Sequence, residues 1–189
     1  MACQPDDVLD FWFGAPPLTQ RREWFVKDAS FDATIAARFG DTIEAALAGD
    51  LTEWNATPRG RLARIIVLDQ FTRNVFRGTP RAFAGDALAL ALAEEALARG
   101  EDRRLDPIER IFMYLPLEHA EDLSVQHRCV AAFERLASEH AGFDETCDYA
   151  RRHFVIIERF GRFPHRNVIL GRASSDDERA FLLLPGSGF

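Results

Sequence analysis

"RLARIIVLDQFTRNVF", Arg61 to Phe76, decides the fold class. Leu62, Ile65, Ile66, Asp69, Arg73 and Phe76 recur at spacings of three and four, the pattern of one helical stripe. Pro58 suits the first turn of that helix, which stops before Gly78. Two members of the stripe, Asp69 and Arg73, are charged. They stand four apart with the acid first, the favourable order for an ion pair along a helix. Isolated buried charges are costly, so the two are expected to pair with each other or with neighbours.

The same helical signals recur on both sides. Asp6 and Asp7 precede a short helix ending at Gly14, and Pro16-Pro17 marks a loop. A longer helix runs from about Phe31 to Leu47, with Gly49 at its end. Thr79-Pro80 reads as the start of another, through to Gly100, with Ala84, Ala87, Ala91 and Ala98 as a small-residue packing face. Asp106-Pro107 repeats that start, and Glu109 adds a capping-box acid. Pro116 should break or kink this helix. The chain then resumes to about His140, and Gly142 ends that element. Asp144 caps a helix through Phe160, and Ser175 with Glu178 begins a short last one. No period-two strand appears between these signals. The expectation is a single all-α domain over 1–189, about seven to nine helices packed as antiparallel hairpins.

Composition narrows the function classes. The chain has 189 residues, 47% hydrophobic and 28% charged, as a soluble globular domain does. Apolar runs such as Ile65–Leu68 and Phe154–Ile157 are too short to cross a bilayer. The N-terminal stretch lacks a basic region followed by an apolar core, so a cytoplasmic protein with no membrane partner is expected. A net charge of −7 argues against a nucleic-acid partner. Lys27 is the single lysine; arginine-biased codon usage accounts for that, and arginine is also the better fork for carboxylate or phosphate. Cys3, Cys129 and Cys147 are far apart without a CxxC, which reads as reduced thiols.

Three segments concentrate polar residues on core-facing stripes. Beyond Pro116, extending the stripe of Gln126, Cys129, Val130, Phe133 and Ala137 upward puts His119, Asp122 and Gln126 in one line. Glu118 and Glu121 then point elsewhere, into solvent. On the next helix His153 shares its stripe with Tyr149, Ile156 and Phe160, while Arg152 and Arg159 lie opposite and Asp148 stands four before Arg152. After Gly161, "FGRFPHRNVILGR" (Phe160–Arg172) makes a turn. Pro164 forces Phe163 out of helix, and Arg162, His165, Arg166 and Asn167 are presented together. Arg73-Asn74-Val75 and Arg166-Asn167-Val168 form a near-repeat. There is no P-loop, GxGxxG, HExxH or GxSxG, and no histidine pair spaced for a metal on one helix turn. Neither a metal nor a cofactor is therefore expected.

"LDQFTRNVFRGTPRAFAGD", "ERIFMYLPLEHAEDLSVQ" and "HFVIIERFGRFPHRNVILGR" resemble the signature blocks of a bacterial family, domain of unknown function 924. The resemblance implies an all-helical fold similar to tetratricopeptide-repeat proteins and no particular activity. It picks out Asp69, Gln70, Arg73, Asn74, Arg77, His119, Glu121, Asp122, Gln126, His153, Arg162, His165, Arg166 and Asn167. Glu118-His119-Ala120-Glu121 stands where the family usually has Met-His-Ser-Glu, and Ser175 stands for its usual threonine.

Three functional readings follow. In the first, a cleft lined by Asp69, Arg73, Asn74, His119, Asp122, Gln126, His153, Arg162, His165, Arg166 and Asn167 binds a small anionic ligand or acidic peptide. In the second, His119 or His153 acts there as general acid or base, oriented by Asp122 or Asp69, on an anionic substrate. In the third, arginines and acids form a buried ion network that locks the helices together.

Overall fold

The computed structural model describes residues 3–188. Among them the chain is helical and contains no strand. It forms two compact units. The first comprises the chain up to Arg77 together with Arg81–Leu117; the second comprises Gly78–Pro80 and the chain from Glu118 onward. No helix among the described residues is long and apolar enough to cross a membrane.

In the first unit, α1 (Pro5–Phe13), α2 (Ala29–Leu47) and α5 (Asp86–Ala98) pack around one central helix. That central helix begins as α3 (Pro58–Ile65), capped by Thr57 Oγ1 on the Gly60 amide and opened by Pro58. It widens into a π-helical turn at Ile66–Phe71 and continues as α4 (Thr72–Val75). Every residue from Gly60 to Asp69 is buried. The single-stripe expectation is therefore too narrow, because helices cover this element on several sides. Trp12 lies against Phe71 at 5.7 Å and Phe112 at 5.5 Å between ring centroids, and Phe11 stacks on Phe31 at 5.2 Å. Phe112 comes from α6 (Pro107–Glu118), opened by Pro107 with Glu109 Oε2 accepting from the Asp106 amide.

Three local expectations are corrected here. Thr79-Pro80 starts only a 3-10 turn (Pro80–Phe83), and α5 begins after Gly85. The packed face of α5 is Ala89, Leu92, Ala93 and Ala96, whereas Ala84, Ala87, Ala91 and Ala98 are exposed. In a run such as "ALALALAEEALA" apolar residues surround the helix, so spacing alone does not select the buried side. Pro116 does not end α6, which runs on to Glu118; a proline removes one helical hydrogen bond, and the helix closes within the next turn.

The second unit is built on a helical hairpin, α7 (Leu123–Glu139) and α8 (Asp144–Phe160), joined by a short turn. Cys129, Phe133 and Leu136 of α7 and Cys147, Ala150 and Ile157 of α8 form its buried face. Phe143 occupies the N-cap position and Asp144 the first turn of α8; Gly161 closes that helix in the left-handed conformation, at φ 68°. A 3-10 turn (Pro164–Arg166) follows, then α9 (Asp176–Leu182) with the expected Ser175–Glu178 capping box. Ile156, Ile157 and Phe163 form a small core with Phe160 and Phe181.

Candidate functional site

The first unit holds Asp69, Arg73 and Asn74. Asp69 sits in the π-helical turn, buried, with its Oδ1 3.0 Å from the Arg73 NH1. The Arg73 fork also donates to both carboxylate oxygens of Asp86, at 2.8 and 3.0 Å. Gln70 Nε2 donates to Asp69 Oδ2 at 2.6 Å. Asn74 donates to Asp32 on α2 at 2.7 Å, beside Arg77 on the same carboxylate. Arg73 and Asn74 are thus answered by carboxylates on neighbouring helices, and Asp69 by Arg73 and Gln70 along the central helix itself.

In the second unit the region between α6 and α7 is a turn, not helix. His119, Asp122 and Gln126 therefore do not form one line. Asp122 is the exposed N-cap of α7, with Oδ1 accepting from the Ser124 hydroxyl and the Val125 amide. Those bonds lower its carboxyl pKa. Gln126 is fully buried and staples the turn, its Nε2 donating to the Glu118 carbonyl at 2.7 Å and the Ala120 carbonyl at 2.9 Å.

Glu118 and Glu121 turn inward rather than into solvent. Glu121 takes the Arg172 fork at 2.5 and 2.9 Å and the Phe163 amide at 2.8 Å. Burial alone would raise its pKa; the hydrogen bonds to Arg172 and Phe163, with the Arg172 and Arg166 charges, outweigh that and lower it. Arg162 forks onto Glu178 at 2.6 and 2.8 Å, and Glu178 also accepts from the Ser175 amide. The Arg162 bond leads in pulling the Glu178 carboxyl down to about 2. Buried Asn167 ties these two clamps together: Nδ2 donates to Ser174 and Glu178, and Oδ1 accepts from Arg172 Nε at 3.0 Å. On α8, Asp148 pairs with Arg151 three residues on, and Arg152 lies over the Tyr149 ring. The shorter spacing places Arg151 beside both Asp148 and Glu134 of α7, and so decides the pairing.

The clamps fix the 3-10 turn, and the turn gathers the remaining site residues. The Arg166 guanidinium lies 4.5 Å over the Phe163 ring, with NH1 donating to the His119 carbonyl at 3.1 Å. The His119 and His153 rings are 6.4 Å apart, and Phe163 lies 5.5 Å from His153 and 5.7 Å from His165. His153 is 4% exposed. Its Nδ1 lies 2.9 Å from the Tyr149 carbonyl, which assigns the proton to that nitrogen, and 3.4 Å from Glu118 Oε1. Burial, with repulsion from His119, Arg166 and His165, pushes His153 down to about 3 against the Tyr149 bond. Burial and Arg166 push the half-buried His165 down to about 4. Cys129 is held protonated, chiefly by burial and then by Glu118. Two surface hollows in this unit, about 610 and 470 Å³, are lined by neither Arg166 nor these histidines. In the larger, Arg151 already pairs with Glu134 and Asp148. No group of three His, Cys, Asp or Glu among the described residues is placed to hold a metal ion.

The sign of the histidine shifts fixes a pH dependence. The unfolded chain binds a proton near pH 6.5, whereas folded His153 resists it until about 3. Its contribution is complete above about pH 6.5 and is lost as pH falls, at about 1.4 kcal/mol per unit. Stability should drop by about 2 kcal/mol between about pH 7 and pH 5 from this group, measured by urea unfolding. His153→Gln should flatten the slope, and an equally steep slope in that variant would place its origin elsewhere.

Sequence reasoning missed Glu118, Arg172 and Glu178 as members of this constellation. The paired Glu178 was legible only as a capping-box acid, and Arg172 lay in the quoted turn without a partner to recognise it by. Comparison with known proteins agrees with the fold. Residues 8–186 match a family model described as bacterial protein of unknown function, DUF924. A solved structure of a protein of unknown function from Agrobacterium tumefaciens, ATU0120, is 41% identical, with 95% of this chain and 96% of that one covered and a TM-score of 0.84. No curated protein matches. By family model and by likeness to a solved structure, this all-helical chain belongs to the bacterial DUF924 family.

Proposed function

We propose that the second unit binds a small anionic ligand at Arg166, with His119, His153 and His165 around it. The observation that carries this reading is the convergence of Arg166 and His165, on one 3-10 turn, with His119 after α6 and His153 on α8. Arg166, with the neutral His153 and His165, forms a positive, hydrogen-bonding cluster suited to a carboxylate or phosphate group. Arg162, Arg172 and Asn167 act as supports: their carboxylate and amide partners hold the turn in place. Asp69, Arg73 and Asn74 are assigned to the structural ion network of the first unit.

The test separates site from clamp. Arg166→Ala should leave a cooperatively folded protein in which calorimetric binding of sulfate, phosphate or citrate has disappeared. A loss of about 3–5 kcal/mol would mean a broken buried pair and favour the network reading. Binding only of acidic peptides would shift the ligand class.

An enzymatic reading has one observation in its favour. Glu118 lies beside His153 Nδ1, the position from which a carboxylate orients a general base. It replaces Asp122 and Asp69 as the orienting acid. Turnover in a phosphatase, esterase and peptidase screen that vanishes in Glu118→Gln would support it.

A further inference from the structure

The smaller hollow of the second unit holds two opposite charges that the fold does not pair. It has a volume of about 470 Å³ and is lined by Arg159, Phe160, Arg162, Ser175, Asp177 and Glu178. That volume lies within the range of about 300–1,000 Å³ common for small-molecule sites. Two arginines and two acids line it. Arg162 and Glu178 hold each other at 2.6 and 2.8 Å. Arg179 on α9 is taken by Asp176. Arg159 and Asp177 remain: the side chain of neither makes a hydrogen bond or ion pair with any described residue, so they share the hollow without meeting. Arg159 is positioned by stacking. Its guanidinium lies 4.6 Å over the Phe160 ring and 6.0 Å from that of Phe181, and the two rings are 5.1 Å apart. A guanidinium stacked by its face keeps its N–H edges for an acceptor. The Ser175 hydroxyl oxygen accepts from the Glu178 amide, which leaves its hydrogen to donate.

The geometry points to this hollow as a binding site for a free α-amino acid with an apolar side chain. A cation and an anion that line one hollow without reaching each other match a ligand that carries both charges. A simple anion meets repulsion from Asp177 there, and a simple cation meets it from Arg159. A zwitterion answers both and brings no net charge. Its carboxylate accepts from the N–H edge of Arg159 and from the Ser175 hydroxyl, and its ammonium donates to Asp177. Its side chain lies against the half-buried Phe160, which Phe181 backs. Nothing in this assignment uses Arg166 or the histidines, so it stands or falls apart from the anion cluster.

L-Leucine is the probe, compared with N-acetyl-leucine, which lacks the ammonium, and leucine amide, which lacks the carboxylate. NMR titration of the full chain at neutral pH reads where each binds and how tightly. The expected result is saturable backbone amide shifts at residues 159–162 and 175–178. Each blocked form should bind about tenfold more weakly, the scale of one charge-assisted hydrogen bond. Asp177→Asn should remove the preference for leucine over N-acetyl-leucine, and Arg159→Gln the preference over leucine amide. Both side chains are exposed and outside any ion pair, so both variants keep the fold. Equal affinity for leucine and N-acetyl-leucine overturns the assignment, as does a preference that survives Asp177→Asn. Shifts centred on residues 165 and 166 instead overturn it by moving the amino acid to the anion cluster. Absence of saturable shifts with the fold intact removes this site and leaves the Arg166 reading standing.

Discussion

Gly85→Ala is expected to destabilise the first unit by about 3 kcal/mol, the upper range for overpacking a tight core. Gly85 lies at the N-cap of α5, where the chain turns onto the π-helical turn of the central helix. A Cβ there would run into the Leu68 carbonyl oxygen and lie 2.9 Å from its carbon and 3.0 Å from Leu68 Cα. All three atoms are backbone, so no rotamer change relieves the overlap; either α5 or the central helix must shift. Its φ of −89° is open to any residue, so the penalty is steric and not conformational. Gly40, inside α2 with nothing near its would-be Cβ, is the control: Gly40→Ala should stabilise by about 0.5–1 kcal/mol through helix propensity. Urea unfolding of both variants checks the pair. A Gly85→Ala protein as stable as wild type would mean that α5 does not approach Leu68 this closely.

Arg61→Ala should cost about 3–5 kcal/mol, the scale for removing one partner of a buried ion pair. The Arg61 side chain is 1% exposed. Its Nε donates to Glu101 at 2.9 Å, NH1 to Glu95 at 2.8 Å and NH2 to the Asn55 carbonyl at 3.1 Å. Deleting it leaves the largely buried Glu101 carboxylate with only Arg99 NH1, at 3.9 Å, and removes the donor to the Asn55 carbonyl. Arg81 NH2 donates to both carboxylate oxygens of Glu44, but the two side chains are 52% and 59% exposed. Arg81→Ala should therefore cost less than about 1 kcal/mol. The double variant Arg61→Met with Glu101→Leu should recover most of the Arg61→Ala loss, because replacing both charges removes the stranded one. If the double variant is no better than Arg61→Ala, the loss comes from lost packing around Arg61 rather than from a stranded charge.

Arg61 and Arg81 illustrate what could be read from residues alone. Both are arginines near a helix start, and nothing local distinguishes the one that is buried. The same holds for Glu118 and Glu121. Their exposure depends on whether the chain between Pro116 and Gln126 is helix or turn. Asp122 is a good N-cap residue, yet the helical stripe running through Gln126 read equally well as continuous. Once the turn forms, Glu121 swings under Phe163 and Glu118 under His153. The inward His153 and the turn that carries His165 and Arg166 were legible because an apolar stripe carried His153 inward and the Gly161–Pro164 signals placed a turn directly after it.

Helix positions and most of their ends were written in the sequence by itself. Proline at a first turn, Ser175 with Glu178, and Gly161 in left-handed conformation act within a few residues of the bonds that they satisfy or release. Such local hydrogen bonding needs no distant partner, so it survives in a one-dimensional reading. Which face of α5 is buried, where the central helix widens into a π turn and which acid meets which arginine were decided only by the tertiary structure. These depend on contacts between residues up to about fifty positions apart, such as Arg172 with Glu121. A charge's cost or value is set by the solvent it loses and the partner it gains, and both are properties of the folded packing.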